Sequence, residues 1–196
     1  MKLPIISAAT FTALSTLCFA GSTVSHSKNV NAPSMPSTVF LDQELQLDLF
    51  GVYGVGHAPD HAGPFREHAW GGGVGLSYFW TRNLGIGIDG DIKRGYVNTS
   101  VGFGKKSFQQ YTGSLILRFP MEEHALAPYG FVGGGATTET GAGTLASAHA
   151  GVGIEYRLVP NQIGLFADTR WTYYGDRAGR GDQNNFQIRS GVRFIF

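Results

Sequence analysis

The stretch Leu84-Gly85-Ile86-Gly87-Ile88-Asp89-Gly90-Asp91-Ile92-Lys93 decides the fold. Leu84, Ile86, Ile88 and Ile92 fall on one side of an extended chain, and Asp89, Asp91 and Lys93 on the other. Successive side chains of a strand point to opposite faces, so this period of two is a strand lying between two different environments. The rhythm continues in both directions. Upstream, Leu45, Leu47 and Leu49 oppose Glu44, Gln46 and Asp48, and Trp70, Val74, Leu76, Tyr78 and Trp80 alternate with Gly71, Gly73, Gly75 and Ser77. Downstream, Tyr111, Leu115, Leu117 and Phe119 alternate with Thr112, Ser114 and Arg118. Ala148, Val152, Ile154, Tyr156 and Leu158 then oppose His149, Glu155 and Arg157. Ile163, Leu165, Trp171 and Tyr173 oppose Asp168 and Arg170, and Phe186, Ile188, Val192, Phe194 and Phe196 oppose Gln187, Arg189 and Arg193. Only Pro128 to Thr137 is ambiguous, because its glycines blur the alternation. Eight strands result, each about 9–13 residues, the length a tilted membrane-crossing strand needs.

Composition narrows the class. Charged residues make up 15% of the 196-residue chain, against about 25% in a typical soluble domain. Twenty-nine glycines and 13% aromatics accompany an ordinary 42% hydrophobic content. A net charge of +1 supplies no broad field for phosphate backbones, so a nucleic-acid partner is not expected. The glycines follow no three-residue period, which excludes collagen.

The chain opens with Met1-Lys2 and an apolar run from Leu3 to Ala20, with Cys18 and Ala20 as small residues before Gly21. This reads as a cleaved export signal over residues 1–20. A lipoprotein signal would need a small residue before Cys18, where Leu17 stands. Beyond residue 20 there is no cysteine, so stability in the bacterial envelope is expected without disulfides. No later window approaches 18 continuous apolar residues. Residues 21–43, rich in Ser, Asn and Pro, read as a flexible tail ahead of a barrel domain at 44–196.

Connections at 81–83, 120–126 and 159–162 are short, with Asn83, Pro120, Pro160 and Asn161 as turn formers. Those at 55–68, 95–106, 138–143 and 175–183 read as longer polar loops. Short turns at one end and long loops at the other indicate an outer-membrane barrel. Alternation alone does not say which face points outward, since a soluble lipocalin-like barrel has the same period. Four features favour lipid contact. Aromatics sit at both ends of the apolar faces: Tyr53, Trp70, Tyr96, Tyr111, Trp171, Tyr173 and Phe186 at the loop end, and Tyr78, Trp80, Phe119, Tyr129, Tyr156, Phe194 and Phe196 at the turn end. Such belts match the two membrane–water interfaces. Glycines crowd the polar faces, as a narrow lumen requires. The apolar faces carry almost no charge. The polar faces carry six acids (Glu44, Asp48, Asp89, Asp91, Glu155, Asp168) against six bases (Lys93, Arg118, Arg157, Arg170, Arg189, Arg193), a set able to neutralise itself in a closed space. The expected fold is all-β: an eight-stranded antiparallel up-and-down transmembrane barrel.

The layout, together with Ala127-Pro128-Tyr129-Gly130-Phe131-Val132-Gly133-Gly134-Gly135 and Ala150-Gly151-Val152-Gly153-Ile154-Glu155-Tyr156-Arg157, resembles small bacterial outer-membrane barrels of the OmpA, OmpX and opacity-protein type. Val192-Arg193-Phe194-Ile195-Phe196 resembles their C-terminal assembly signal, with Val192, Phe194 and Phe196 as its apolar positions. The resemblance covers about residues 44–196 and implies a place in the outer membrane, contact with its lipids and lipopolysaccharide, and handling by its assembly machinery. It says little about activity, since such barrels include structural proteins, adhesins, small pores and a few enzymes.

Several residues invite chemistry. Ser147 and His149 lie two apart and project to one side, and with Glu155 or Asp168 would suggest a hydrolytic triad. Related lipid A deacylases carry His-x-Ser in a late strand, where this chain has Trp171-Thr172-Tyr173-Tyr174-Gly175. Lumen packing is the preferred reading. His57, Asp60, His61 and His68 cluster in the first loop, but a loop preorganises a metal poorly. Arg180-Gly181-Asp182, an adhesion-type tripeptide, sits in a loop where it arises readily by chance. Lys93, Arg94, Lys105 and Lys106 lie at the rim of one hairpin, where they would pair with lipopolysaccharide phosphates or simply be solvated. The expectation is a structural or surface-interaction barrel with a charge-filled lumen, an extracellular ligand on its long loops, no enzyme activity and no cofactor. A narrow ion-conducting pore is the runner-up, and a lipid-modifying enzyme the third reading.

Overall fold

A computed structural model describes residues 38–57, 67–99, 102–139, 143–174 and 183–196. Eight strands follow in chain order: β1 (Glu44–His57), β2 (Glu67–Phe79), β3 (Leu84–Thr99), β4 (Gly102–Arg118), β5 (Leu126–Glu139), β6 (Gly143–Val159), β7 (Ile163–Tyr174) and β8 (Gln183–Ile195). Each pairs antiparallel with the next, and β8 returns to β1, so the sheet closes with no free edge. Closure satisfies every strand's backbone donors and acceptors within the sheet, which a hydrocarbon surrounding demands. Followed round the barrel from Gln46 through Ser77, Gly87, Ser114, Gly133, His149, Thr172 and Asn185, the partners return to β1 at Gly56, ten residues further on. That stagger tilts the strands against the barrel axis.

The distribution of side chains is the reverse of a soluble barrel. The largest fully buried groups include Arg118, Arg157 and Arg170, whereas Ile88, Val152 and Val132 are 64%, 65% and 57% exposed. Exposed Leu, Ile and Val cover the outside of every strand from β1 to β8, far more apolar surface than a water-soluble monomer shows. Only a lipid solvent makes that arrangement favourable. Tyr53, Trp70, Tyr111, Trp171 and Phe186 stand outward at the loop end, and Trp80, Phe119, Tyr156 and Phe196 at the turn end.

Four expectations are corrected. Residues 95–106 are strand rather than loop: β3 and β4 stay in register out to Thr99 opposite Gly102. Likewise β5 reaches Glu139 and β6 starts at Gly143, so 138–143 is a tight connection. The polar composition there marks strand that rises past the bilayer, where both faces tolerate water. Tyr129 does not join the outer belt; it is buried in the lumen with Phe131, and Val132 faces lipid instead. Residues 38–43, read as the end of a flexible tail, pack into the turn-end mouth, with Phe40 buried. The side chains of Tyr96, Lys105 and Lys106 lie outside the described residues.

The turns are tight for local reasons. Asn161 adopts a left-handed conformation (φ 59°) between β6 and β7, a region Asn enters more readily than most residues. Between β4 and β5, a single 3-10 turn at Glu122–His124 ends on Ala125, also left-handed at φ 52°.

Candidate functional site

All twelve ionisable residues expected in the lumen are there, drawn from β1, β3, β4, β6, β7 and β8. A lone charge buried this way is costly, so partners are required. The structure arranges them as three sets, each neutral in itself.

The first set, at the turn end, holds Glu44, Asp48 and Glu155 against Arg118, Arg157 and Arg193. Arg118 Nη1 and Arg157 Nη2 donate to Glu44 Oε1 at 2.9 and 2.6 Å. Gln46 Nε2 donates to the same oxygen. Arg193 grips Asp48 through Nε and Nη2, both at 2.7 Å, and sends Nη1 to Glu155 Oε2 at 2.6 Å. Such two-pronged guanidinium–carboxylate contacts are the strong form of the interaction. Asp48 and Arg193 are direct cross-strand partners, so this pair bridges the seam where β8 meets β1.

The second set, at mid-lumen, holds Asp89 and Asp168 against Arg170 and Arg189. Arg189 Nε and Nη2 donate to the two oxygens of Asp168 at 2.7 and 2.8 Å, and Tyr129 Oη donates to Asp168 Oδ2 at 2.8 Å. Arg170 forks onto Asp89 at 3.0 and 2.7 Å and also donates to Thr112 Oγ1. Arg189 lies 3.3 Å from Asp89 and ties the pairs together. The third set is Lys93 with Asp91 at 3.1 Å. Lys93 Nζ donates to Gln110 Oε1 at 2.7 Å, which also accepts from Gln187 Nε2 at 2.8 Å.

Aromatic rings fill the space between the charges. Arg189 lies over Phe50 and Phe131 at 5.1 and 5.5 Å, Arg193 over Phe166 at 4.8 Å, and Arg118 over Phe79 at 3.9 Å. A guanidinium over a ring face gains most where water is excluded. These rings were missed as lumen residues, yet parity marks them: Phe50 continues Glu44-Gln46-Asp48, and Phe166 precedes Asp168 by two. A small mid-lumen cavity remains, walled on one side by Gly75, Ser77, Gly87 and Ser114 and on the other by Asp168, Arg170 and Arg189.

Lys93 is therefore not a rim residue. Its side chain is 2% exposed and points inward, which removes it from the lipopolysaccharide set; Arg94, next in sequence, faces outward. Ser147 and His149 do share the lumen face, but they do not form a dyad. His149 Nε2 shares a 2.8 Å hydrogen bond with Ser114 Oγ instead. That bond crosses Gly133, the partner of both residues, where a Cβ would sit 1.9 Å from the Gly113 carbonyl oxygen. His149 Nδ1 has no hydrogen-bond partner among the described residues, so no carboxylate orients the ring. His68 bonds the Tyr53 hydroxyl on the outer face at 2.6 Å. Asp60, His61, the His57 side chain and Arg180-Gly181-Asp182 lie outside the described residues, among which no three candidate ligands meet.

Phe196 ends the chain in register. Its N–H donates to the Leu45 carbonyl at 2.8 Å and its carbonyl accepts from Leu45 N–H at 3.1 Å, while its ring is 72% exposed.

Known proteins agree with this architecture. The chain superposes on neisserial surface protein A with a TM-score of 0.62 at 15% identity, covering 78% of this chain and 97% of that one. It superposes on Ail of Yersinia pestis, in a complex with the heparin analogue sucrose octasulfate, with a TM-score of 0.51 at 15% identity, over 79% and 100% of the two chains. The outer membrane enzyme PagL gives 0.51 at 13% identity, over 75% and 98%. At these identities the likeness is one of fold. No curated protein sequence matches the chain. The profile of the outer membrane protein beta-barrel domain matches residues 17–194, nearly the whole chain. A closed eight-stranded barrel, a lipid-facing apolar exterior and that match together place the chain in the outer membrane protein beta-barrel family, as a protein of the bacterial outer membrane.

Proposed function

We propose that this barrel is a sealed outer-membrane protein with a structural or surface-interaction role, and that its lumen neither conducts ions nor performs chemistry. The observation that carries the reading is the division of the lumen charges into three self-neutralising sets with aromatic rings between them. An ion entering such a lumen would have to displace a bidentate arginine from its carboxylate, and in a low-dielectric interior that is a steep barrier. Function then falls to the exterior: the connections at 58–66 and 175–182 for an extracellular ligand, and outward-facing Arg94, with Lys105 and Lys106 nearby in the chain, for lipopolysaccharide phosphates. Val192, Phe194 and Phe196 would serve as the signal read by the outer-membrane assembly machinery.

One observation favours the narrow-pore reading. Above the charged sets the lumen is neutral and polar, and Gln110 Nε2, Thr172 Oγ1 and Gln187 Oε1 are buried without hydrogen-bond partners. Conductance of the purified protein in planar bilayers separates the two readings. The sealed barrel gives no steady single-channel current, and Asp168→Ala, which frees Arg189, opens a leak. Large, stable currents from the unaltered protein would overturn the sealed reading.

A further inference from the structure

The turn-end mouth contains a binding site, and its occupant is part of this chain. Phe40, on the segment leading into β1, is 1% exposed. Its ring lies 5.0 Å from the Arg118 guanidinium and 4.8 Å from that of Arg157. Arg118 is thus held between two rings, Phe40 on one side and Phe79 at 3.9 Å on the other. Both arginines also ion-pair with Glu44, but Arg118 Nη2 and Arg157 Nη1 are buried and find no hydrogen-bond partner. An aromatic π-face is the remaining group able to receive a cation there.

Backbone contacts fix the segment on either side of the ring. Val39 N–H donates to Glu122 Oε2 at 2.7 Å, reaching the turn between β4 and β5. Leu41 N–H donates to Glu44 Oε2 at 3.3 Å, and Asp42 Oδ1 accepts from Arg82 N–H at 2.6 Å in the turn between β2 and β3. Gln43 then takes a left-handed conformation (φ 57°) that turns the chain from this crossing direction into β1. Three anchors on two turns and one strand describe a docked peptide.

We propose that residues 38–42 form a cork that closes the turn-end mouth, with Phe40 clamped between Arg118 and Arg157. The clamp is assembled from β2, β4 and β6, so it exists only once the barrel has closed, and the cork docks after closure. It keeps water from the first charge set and from the cavity above it, which Ser77 lines. The inference goes beyond the proposed function: it concerns access from one end, and it stands whether or not the upper lumen conducts.

Cysteine labelling tests it. In a Cys18→Ser background the chain has no cysteine, so Ser77→Cys supplies a single reporter behind the cork. Full-length exported protein, purified folded in detergent, is treated with a charged, membrane-impermeant methanethiosulfonate reagent. With Phe40 in place the thiol should react slowly. Adding Phe40→Ala should speed labelling by about tenfold or more, the population shift expected when two desolvated cation–π contacts are lost. Equal rates with and without Phe40 in folded protein would overturn the proposal, as would fast labelling of the parent. If the alanine variant does not fold, Phe40→Leu, smaller and without a π-face, is read in the same way. Because the readout is thiol reactivity rather than current, its failure is distinct from a failure of the sealed-lumen reading.

Discussion

Arg193→Ala is the most informative single change. Arg193 makes both hydrogen bonds to Asp48 at 2.7 Å and a third to Glu155 at 2.6 Å. Glu155 keeps its ion pair with Arg157 and a more distant one with Arg118 at 3.7 Å. Asp48, 7% exposed, keeps no cation among the described residues. The turn-end set passes from neutral to one uncompensated negative charge, and removing one member of such a buried pair costs about 3–5 kcal/mol. Asp48→Ala/Arg193→Ala restores neutrality at the price of a larger void, and should be less destabilised than the sum of the two single variants by about 2 kcal/mol. Urea unfolding of the protein refolded into phospholipid vesicles measures both quantities. The three tryptophans, Trp70, Trp80 and Trp171, all face outward, so their fluorescence reports loss of lipid contact. If Arg193→Ala unfolds within about 1 kcal/mol of the parent, as an exposed pair would, then water reaches Asp48 and the lumen is not sealed at this level. Strict additivity in the double variant would refute the coupling.

Ile88→Arg places a cation on the lipid face and should destabilise the barrel by about 2–4 kcal/mol in vesicles if it sits near the bilayer midplane; a protein that stays folded in plain buffer would contradict lipid exposure. Gly133→Ala forces a Cβ to 1.9 Å from a backbone oxygen beneath the Ser114–His149 bond, so β4 and β5 must part; a cost of about 1–3 kcal/mol is expected, and an unchanged urea midpoint would show the strands shift freely. Deleting Phe196 removes the last backbone pair with Leu45. It should cut insertion in cells while sparing much of the refolding in detergent. Normal insertion in cells would remove its role as an assembly signal, and equal failure in both settings would leave only barrel closure.

The strand count, the closed barrel and the lumen charges were legible because they are properties of parity. A chain with lipid on one side and a narrow interior on the other repeats every two residues, and Leu84 to Lys93 alone displays both environments. Each residue's face follows from its neighbours in sequence, so all twelve charged lumen residues were named correctly. Lys93 shows where residue type misled: a lysine at a hairpin was read as both a lumen charge and a rim cation, although its parity with Asp89 and Asp91 permits only the first.

What parity does not contain is which inward residues meet. Glu44 contacts Arg118 and Arg157 across the lumen, and His149 finds Ser114 rather than Ser147, because a ten-residue stagger sets which strand levels coincide. That stagger is a property of the closed sheet. The same holds for Tyr129 and Phe131: their glycine-rich strand carries too few large residues to mark its faces, and packing against Asp168, Arg170 and Arg193 draws the rings inward. Phe40 lies outside any alternating run, so sequence assigned it to a tail; its place exists only where β2, β4 and β6 converge on one mouth. Local alternation assigns a side chain to an environment, whereas a partner distant in the chain is chosen by the geometry of closure.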